Sequence, residues 1–370
     1  MYNVLFIVLL ILYWVFRGKK DEKKAKMLFI VFMTLSLSIM SGLRNLATGI
    51  DTADYYLIYE RTRAMSWTDI IDGLRDYLSG IYVFDPGYTL FVKVVQLFCP
   101  SFYFYNFIVS LIVTSAIGLL IYHGVNSLLG YVVGYSYYIS LLYWNLPNNL
   151  TRQSLAIGFI IFAMLLLIRK KRIWAVVLLF LAVLVHRSAI IGFITVFLLY
   201  VKNIKSIRVI YLSSIILTPL VFIYGHSFVD LMVLLSGNER YQIYLGSETS
   251  ARPIAYILEM FLFYFFGLLM WKRELLVDNI RRVSYASFAL SVVFVSMLWI
   301  NSDLIRIGMY FSIFGVVFLP YCIENASVKV KGVVLAIVLS LLVGRSLLRP
   351  PEYNFYWEKV ELSDRYKYVL

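Results

Sequence analysis

The sequence predicts an all-α polytopic membrane protein with about twelve transmembrane helices. Three observations predict it. Sixty-one per cent of the 370 residues are hydrophobic and the mean hydropathy is +0.81, whereas a water-soluble domain is closer to half apolar. Apolar runs recur along the whole chain. The basic residues gather in short segments between those runs: Arg17–Lys26, Arg169–Arg172, Lys202–Arg208, Lys272–Arg282 and Lys329–Lys331. That is the positive-inside pattern. The net charge of +13 therefore marks cytoplasmic loops and not a nucleic-acid-binding stripe, and no nucleic-acid partner is expected.

The apolar runs, in order, are 2–16, 27–43, 102–122, 131–146, 151–168, 173–186, 188–201, 208–225, 254–271, 283–300, 304–322 and 332–348. Several are shorter than the ~20 residues of a straight span, so tilted or half-spans are expected. The first run is preceded by no positive charge and followed by RGKKDEKKAK, the reverse of a cleavable signal peptide. It reads as an uncleaved span with its N-terminus outside. The run 88–99 is about three turns long and stops at Pro100. Read as a re-entrant or interfacial segment, it leaves all five basic loops on one side and both termini on the other. Cys99 and Cys322 form no disulfide framework or zinc pattern. Without repeats or linkers, residues 1–370 read as one integral membrane domain with outer loops at 44–101, 145–150 and 226–253 and an outer tail at 349–370.

The first outer loop holds a third of the 21 acidic residues of the chain. Charges held against a bilayer are costly and tend to be kept for function. Ser66-x-x-Asp69 is a capping box, and Trp67, Ile70, Ile71, Leu74, Tyr77 and Leu78 follow on one helical face. A helix over 67–78 lying in the interface plane is expected, with Asp72 and Asp76 on its solvated side.

Ionisable residues at outer span ends are the site candidates. Arg44, Asp51 and Asp54 follow the second run; Asp51 or Thr52 has helix capping as its alternative role. Asp85-Pro86 has the form of a helix start, so capping alone accounts for it as well. Arg152 and Gln153 begin the run to Ile168 at the face where positive-inside statistics do not place arginine. His186-Arg187 separates two runs of about thirteen residues and points to a water-filled outer cavity. Arg306 lies three residues after Asp303, which is also the spacing of a plain salt bridge. Asn238-Glu239-Arg240-Tyr241 reads as a solvated loop. Walker A, HExxH, Gly-x-Ser-x-Gly and DxD patterns are absent from the sequence.

The ordered set GLR with GIDTADYY (Gly42–Arg44, Gly49–Tyr56), DPGY (Asp85–Tyr88), RQSLA (Arg152–Ala156), HRSA (His186–Ala189) and RIGMYF around Arg306 resembles the EpsG family, whose members look like Wzy-type polymerases of O-antigen, capsule and exopolysaccharide. Asp85 stands where many members have Glu. The C-terminal RPPEYNFYW stretch is not carried over from the family. The resemblance implies polymerisation of oligosaccharide repeat units carried on undecaprenyl diphosphate, at the outer face of the bacterial inner membrane, without nucleotide sugar or ATP. It implies the lipid-linked oligosaccharide and the bilayer as partners, with a chain-length regulator protein as a further one. A diphosphate leaving group calls for arginines, here Arg44, Arg152, Arg187 and Arg306 with Gln153, and for no metal or other cofactor. Asp51, Asp54, Asp85 and His186 are all open as the general base. Tyr55, Tyr56, Tyr88 and Tyr241 are candidate sugar contacts. A lipid-linked oligosaccharide flippase, a glycan ligase and a membrane O-acyltransferase are the alternative functions.

Overall fold

The computed structural model describes residues 1–81, 85–236, 253–270, 278–348 and 350–359. Among these the regular elements are helical, with one isolated antiparallel bridge between Arg44 and Phe355. In chain order the first ten α-helices are α1 (Tyr2–Phe16), α2 (Glu22–Gly42), α3 (Thr52–Ala64), α4 (Trp67–Leu78), α5 (Pro86–Phe98), α6 (Phe102–Gly124), α7 (Leu128–Tyr137), α8 (Thr151–Ile168), α9 (Arg172–Val185) and α10 (Ala189–Phe197). The rest are α11 (Ile204–Ser236), α12 (Ile254–Leu269), α13 (Asn279–Val295), α14 (Ile305–Ser312), α15 (Gly315–Glu324) and α16 (Val328–Leu348).

Six of the described helices are long and apolar enough to cross a membrane: α2, α6, α8, the 204–227 part of α11, α13 continued to Trp299, and α16. The run read as 304–322 is broken into α14 and α15, bent by 47°; counted as one span it makes seven. Five further apolar helices, α1, α7 with its π-turn to Leu142, α9, α10 and α12, are shorter. They correspond to runs that the sequence reading counted among its twelve spans. What shortens α9 and α10 is the turn 186–188, where His186 is extended (φ −157°) and ends α9. The sequence Asn238–Tyr241 lies outside the described residues, as do most of the 226–253 loop and the tail beyond 359.

The chain forms two compact units. The first comprises Met1–Phe193 and Leu335–Leu370, the second Ile194–Val334. In the first, α2 and α6 are the most extensive pair, with α8 against α6 and α9 against α8. Side-chain oxygens of Asp21 and Ser101 cap α2 and α6, which is why α2 starts a turn before its apolar run. Between α2 and α6, Ser38 and Thr114 hydroxyls meet at 3.1 Å, and each also bonds a carbonyl one turn back in its own helix. Small hydroxyl residues let apolar helices approach while satisfying their own polarity.

The segment between α2 and α5 holds two helices. The α4 capping box forms as expected, with Ser66 and Asp69 bonding reciprocally. Ile70 is buried, while Trp67, Ile71 and Leu78 stay exposed, as the apolar face of an interfacial helix would. The preceding helix, α3, starts at Thr52, whose hydroxyl donates to the Thr48 and Asn148 carbonyls. Gly49 (φ +91°) makes this turn; a Cβ there would meet Asn149 Oδ1 at 2.5 Å. Helix α5, the segment read as re-entrant, packs on α3, α4 and α9. Its Lys93 ammonium donates to the Thr62, Arg63 and Met65 carbonyls at the end of α3. A cation there also faces the negative end of the helix dipole.

In the second unit α13 is central, contacting α11, α12, α14 and α15. Tyr211 and Tyr264 stack at 4.4 Å and Phe288 and Phe318 at 4.1 Å. A cavity of about 330 Å³ lies beside Ser214, Thr218, Pro219, Phe222, Phe261 and Tyr264, with no ionisable group other than the Tyr264 phenol in its lining.

Candidate functional site

Two of the candidate residues of the first unit, Arg152 and His186, meet at one carboxylate, that of Asp85. Asp85 Oδ2 accepts from Arg152 Nη1 at 2.5 Å and lies 3.5 Å from His186 Nδ1. The Asp85 side chain is 8 % exposed, that of Arg152 16 % and that of His186 20 %. Arg152 and His186 are thus both more open than the nearly enclosed acid they contact.

Three backbone features make this arrangement. Asp85 occupies the N-cap position of α5 but makes no side-chain cap bond, so capping does not account for it. Its backbone is left-handed (φ +40°, ψ +61°), a conformation that costs an L-residue roughly 1–2 kcal/mol. Gly87 then brings the first turn of α5 against the last turn of α9: an added Cβ would meet Leu184 Cβ at 2.5 Å and its carbonyl carbon at 2.7 Å. His186, the residue that ends α9, is placed beside Asp85 by that approach. Arg152 sits in the first turn of α8, where the helix dipole disfavours a cation; the Asp85 carboxylate offsets this.

Buried phenols back the cluster. The Arg152 guanidinium carbon lies 5.8 Å from the Tyr55 ring centre and 6.0 Å from that of Tyr88. Both rings are buried, and Tyr105 donates to the Tyr88 hydroxyl at 2.6 Å. The Tyr88 phenol feels the charges of both Arg152 and Arg44.

Arg44 is fully enclosed. Its Nη1 donates to the Ser41 carbonyl and hydroxyl, and its Nη2 to Asn106 Oδ1 at 2.8 Å. Burial pushes the guanidinium down to about 10, an effect that the surrounding Tyr143, Tyr105, Tyr353 and Tyr88 phenols oppose. These contacts tie the end of α2 to α6. Arg44 therefore stands behind the site and not on its open side. Asp51 is the N-cap residue of α3 without a side-chain cap bond, and Asp54 is in its first turn; both are half-buried. Gln153 is buried beside Arg152. Arg187 is exposed, its guanidinium carbon 5.2 Å from the Tyr77 ring centre on α4. Arg306 belongs to the second unit, where it is 3.7 Å from Asp303, the i,i+3 pair that its spacing allowed. Tyr241 lies outside the described residues. Among the described residues no group of three or more His, Cys, Asp or Glu side chains is placed to hold a metal ion.

Sequence reasoning missed Asn106, Tyr105 and the C-terminal segment 353–358. A polar Asn106 inside an apolar run was the available signal for the first. The C-terminal segment lies along residues 40–48: Tyr356 N–H donates to the Leu43 carbonyl and Asn45 N–H to the Asn354 carbonyl, flanking the Arg44–Phe355 bridge. No curated protein and no solved structure matches the chain. The model of the EpsG family matches residues 26–356, nearly the whole sequence, and the chain belongs to that family.

Proposed function

We propose that this membrane protein polymerises oligosaccharide repeat units carried on undecaprenyl diphosphate, at the outer face of the bacterial inner membrane. EpsG family members are Wzy-type polymerases, which supports the polymerase part of the reading. The observation that carries the chemistry is the Asp85 carboxylate held between Arg152 and His186.

In the proposed reaction a hydroxyl of the incoming lipid-linked unit attacks the anomeric carbon at the reducing end of the growing chain. The bond from that carbon to the diphosphate oxygen breaks, and lipid diphosphate leaves with the bonding pair. His186 takes the hydroxyl proton. It is more open than Asp85, whose oxygen faces its Nδ1 and leaves Nε2 for the substrate. Arg152, with Arg187 next to His186, neutralises the charge growing on the diphosphate, a preorganised donor of a kind whose removal costs about 10²–10³ in rate. Charge is balanced by guanidinium alone, so the reaction proceeds in a chelator.

Deleting the gene and separating the surface polysaccharide by size tests the reading. Loss of long chains with accumulation of single-unit product is the expected outcome; unchanged long chains refute it. In the complemented strain Arg152→Ala abolishes elongation while the protein persists in the membrane, and Arg152→Lys restores little, since a point charge does not reproduce a two-pronged contact. Full activity of both variants removes the diphosphate clamp.

A further inference from the structure

The C-terminal segment carries a surface that the site description leaves unused. It is held against residues 40–48 by a set of main-chain and side-chain bonds. Asn45 Nδ2 donates to the Phe355 and Glu358 carbonyls, Thr48 Oγ1 donates to the Asn354 carbonyl at 3.0 Å, and the Tyr353 hydroxyl donates to the Met40 carbonyl. The Glu358 carboxylate accepts from the Phe355 N–H at 2.8 Å.

This framework displays rings. Phe355 backs Trp357 face to face at 4.4 Å, and Tyr356 meets Trp357 edge-on at 4.9 Å. Tyr356 in turn lies 4.9 Å from Tyr103 at the start of α6. Tyr103 also lies 6.4 Å from Phe102, whose ring meets that of Tyr56 at 5.2 Å. Tyr56 is the chain neighbour of Tyr55, which packs under Arg152. The rings thus lead from the outer tail to the rim of the site. Trp357 is 58 % exposed and Tyr356 46 %, while Tyr103 and Tyr56 are half-buried.

Exposed rings held in one orientation point to a ligand with apolar faces. Lipid is one such ligand, yet irregular backbone is not tolerated against hydrocarbon. The rings are also flanked by the exposed carboxylates of Glu352 and Glu358, which anionic headgroups would repel. A sugar ring fits both features. Its C–H face meets the negative face of an aromatic ring, and its hydroxyls donate to carboxylates and phenols.

We propose that Tyr56, Tyr103, Tyr356 and Trp357 form a glycan-binding strip that holds the sugar portion of an oligosaccharide whose diphosphate end reaches Arg152. The identity of that oligosaccharide rests on the polymerase reading above; the strip itself rests on the rings and carboxylates.

The test uses full-length protein in detergent. The probe is carrier-free oligosaccharides of a few repeat units, released by mild acid from the producing cell's own surface polysaccharide. Binding is read by calorimetry, and elongation by polysaccharide size in the complemented deletion strain. Trp357→Ala and Tyr356→Ala each lower affinity about tenfold and shorten the polymer, while Trp357→Phe retains most of both. Tyr103→Ala, from a different element, behaves alike. Arg152→Ala keeps oligosaccharide affinity within about twofold while abolishing elongation. Wild-type affinity in the Trp357 and Tyr356 variants, or no binding by the wild-type protein, overturns the strip. So does a result in which these variants lose only their partition onto phosphatidylglycerol vesicles, which marks the rings as a membrane anchor. Should Trp357-dependent binding be found while gene deletion leaves chain length unchanged, the strip stands and the polymerase reading falls.

Discussion

At the residue scale, the site depends on one carboxylate in a strained conformation. Asp85 combines two demands that pull apart: a left-handed backbone, which glycine adopts without penalty, and a charge between Arg152 and His186, which glycine lacks. Substitution separates them. Asp85→Ala and Asp85→Gly both remove the charge and leave Arg152 without its closest anion. They differ in the Cβ at φ +40°, so the glycine variant is the more stable by about 1 kcal/mol. Thermal unfolding in detergent reads that difference, and polysaccharide size shows both variants inactive. Equal stability of the two means the left-handed backbone relaxes when the charge goes. Elongation by the glycine variant means the carboxylate has no part in the chemistry.

At the element scale, the position of Asp85 is a consequence of how α5 meets α9. The contact at Gly87 involves Leu184 Cβ and main-chain carbon, so shortening the Leu184 side chain creates no room. Gly87→Ala therefore pushes the first turn of α5 away from His186, at a cost of about 1–3 kcal/mol in packing, and impairs elongation. The double variant Gly87→Ala/Leu184→Ala is no better. Recovery of polymer length in the double variant shows that the approach of the two helices does not set the site. These features also mark the limit of what the sequence reveals. The capping box fixes α4 because its signal is local, four residues reading one another. DPGY reads equally well as a cap, because a positive φ at Asp85 is imposed by packing against a helix about a hundred residues later. Helix α3 shows no clear apolar face; its last carbonyls are satisfied by Lys93 from α5, which no window of sequence around α3 contains. The run read as 304–322 is apolar apart from Arg306 and Ser312, and hydropathy does not register the 47° bend inside it.

At the scale of the whole molecule, the question is which face of the membrane the site occupies. Helix α8 is a candidate span that begins beside Arg152 and ends at the basic turn Arg169–Arg172. Its 18 residues rise about 27 Å, close to the thickness of the hydrocarbon layer. The same holds for α2, which runs from the basic segment Arg17–Lys26 to Arg44 and the C-terminal strip bridged to it. Two independent helices thus put a lysine-rich turn at one end and a site residue at the other, and the positive-inside rule assigns the lysine-rich end to the cytoplasm. A chain with Cys99 and Cys322 replaced by serine, carrying one new cysteine at a time, makes this measurable. In intact spheroplasts Trp357→Cys and Asp72→Cys react with a membrane-impermeant maleimide, and Lys171→Cys reacts only after permeabilisation. The three positions are exposed, so accessibility of the side chain itself does not limit labelling. The reverse pattern would place Asp85, Arg152 and His186 on the cytoplasmic side, where the proposed polymerisation of units displayed at the outer face has no substrate.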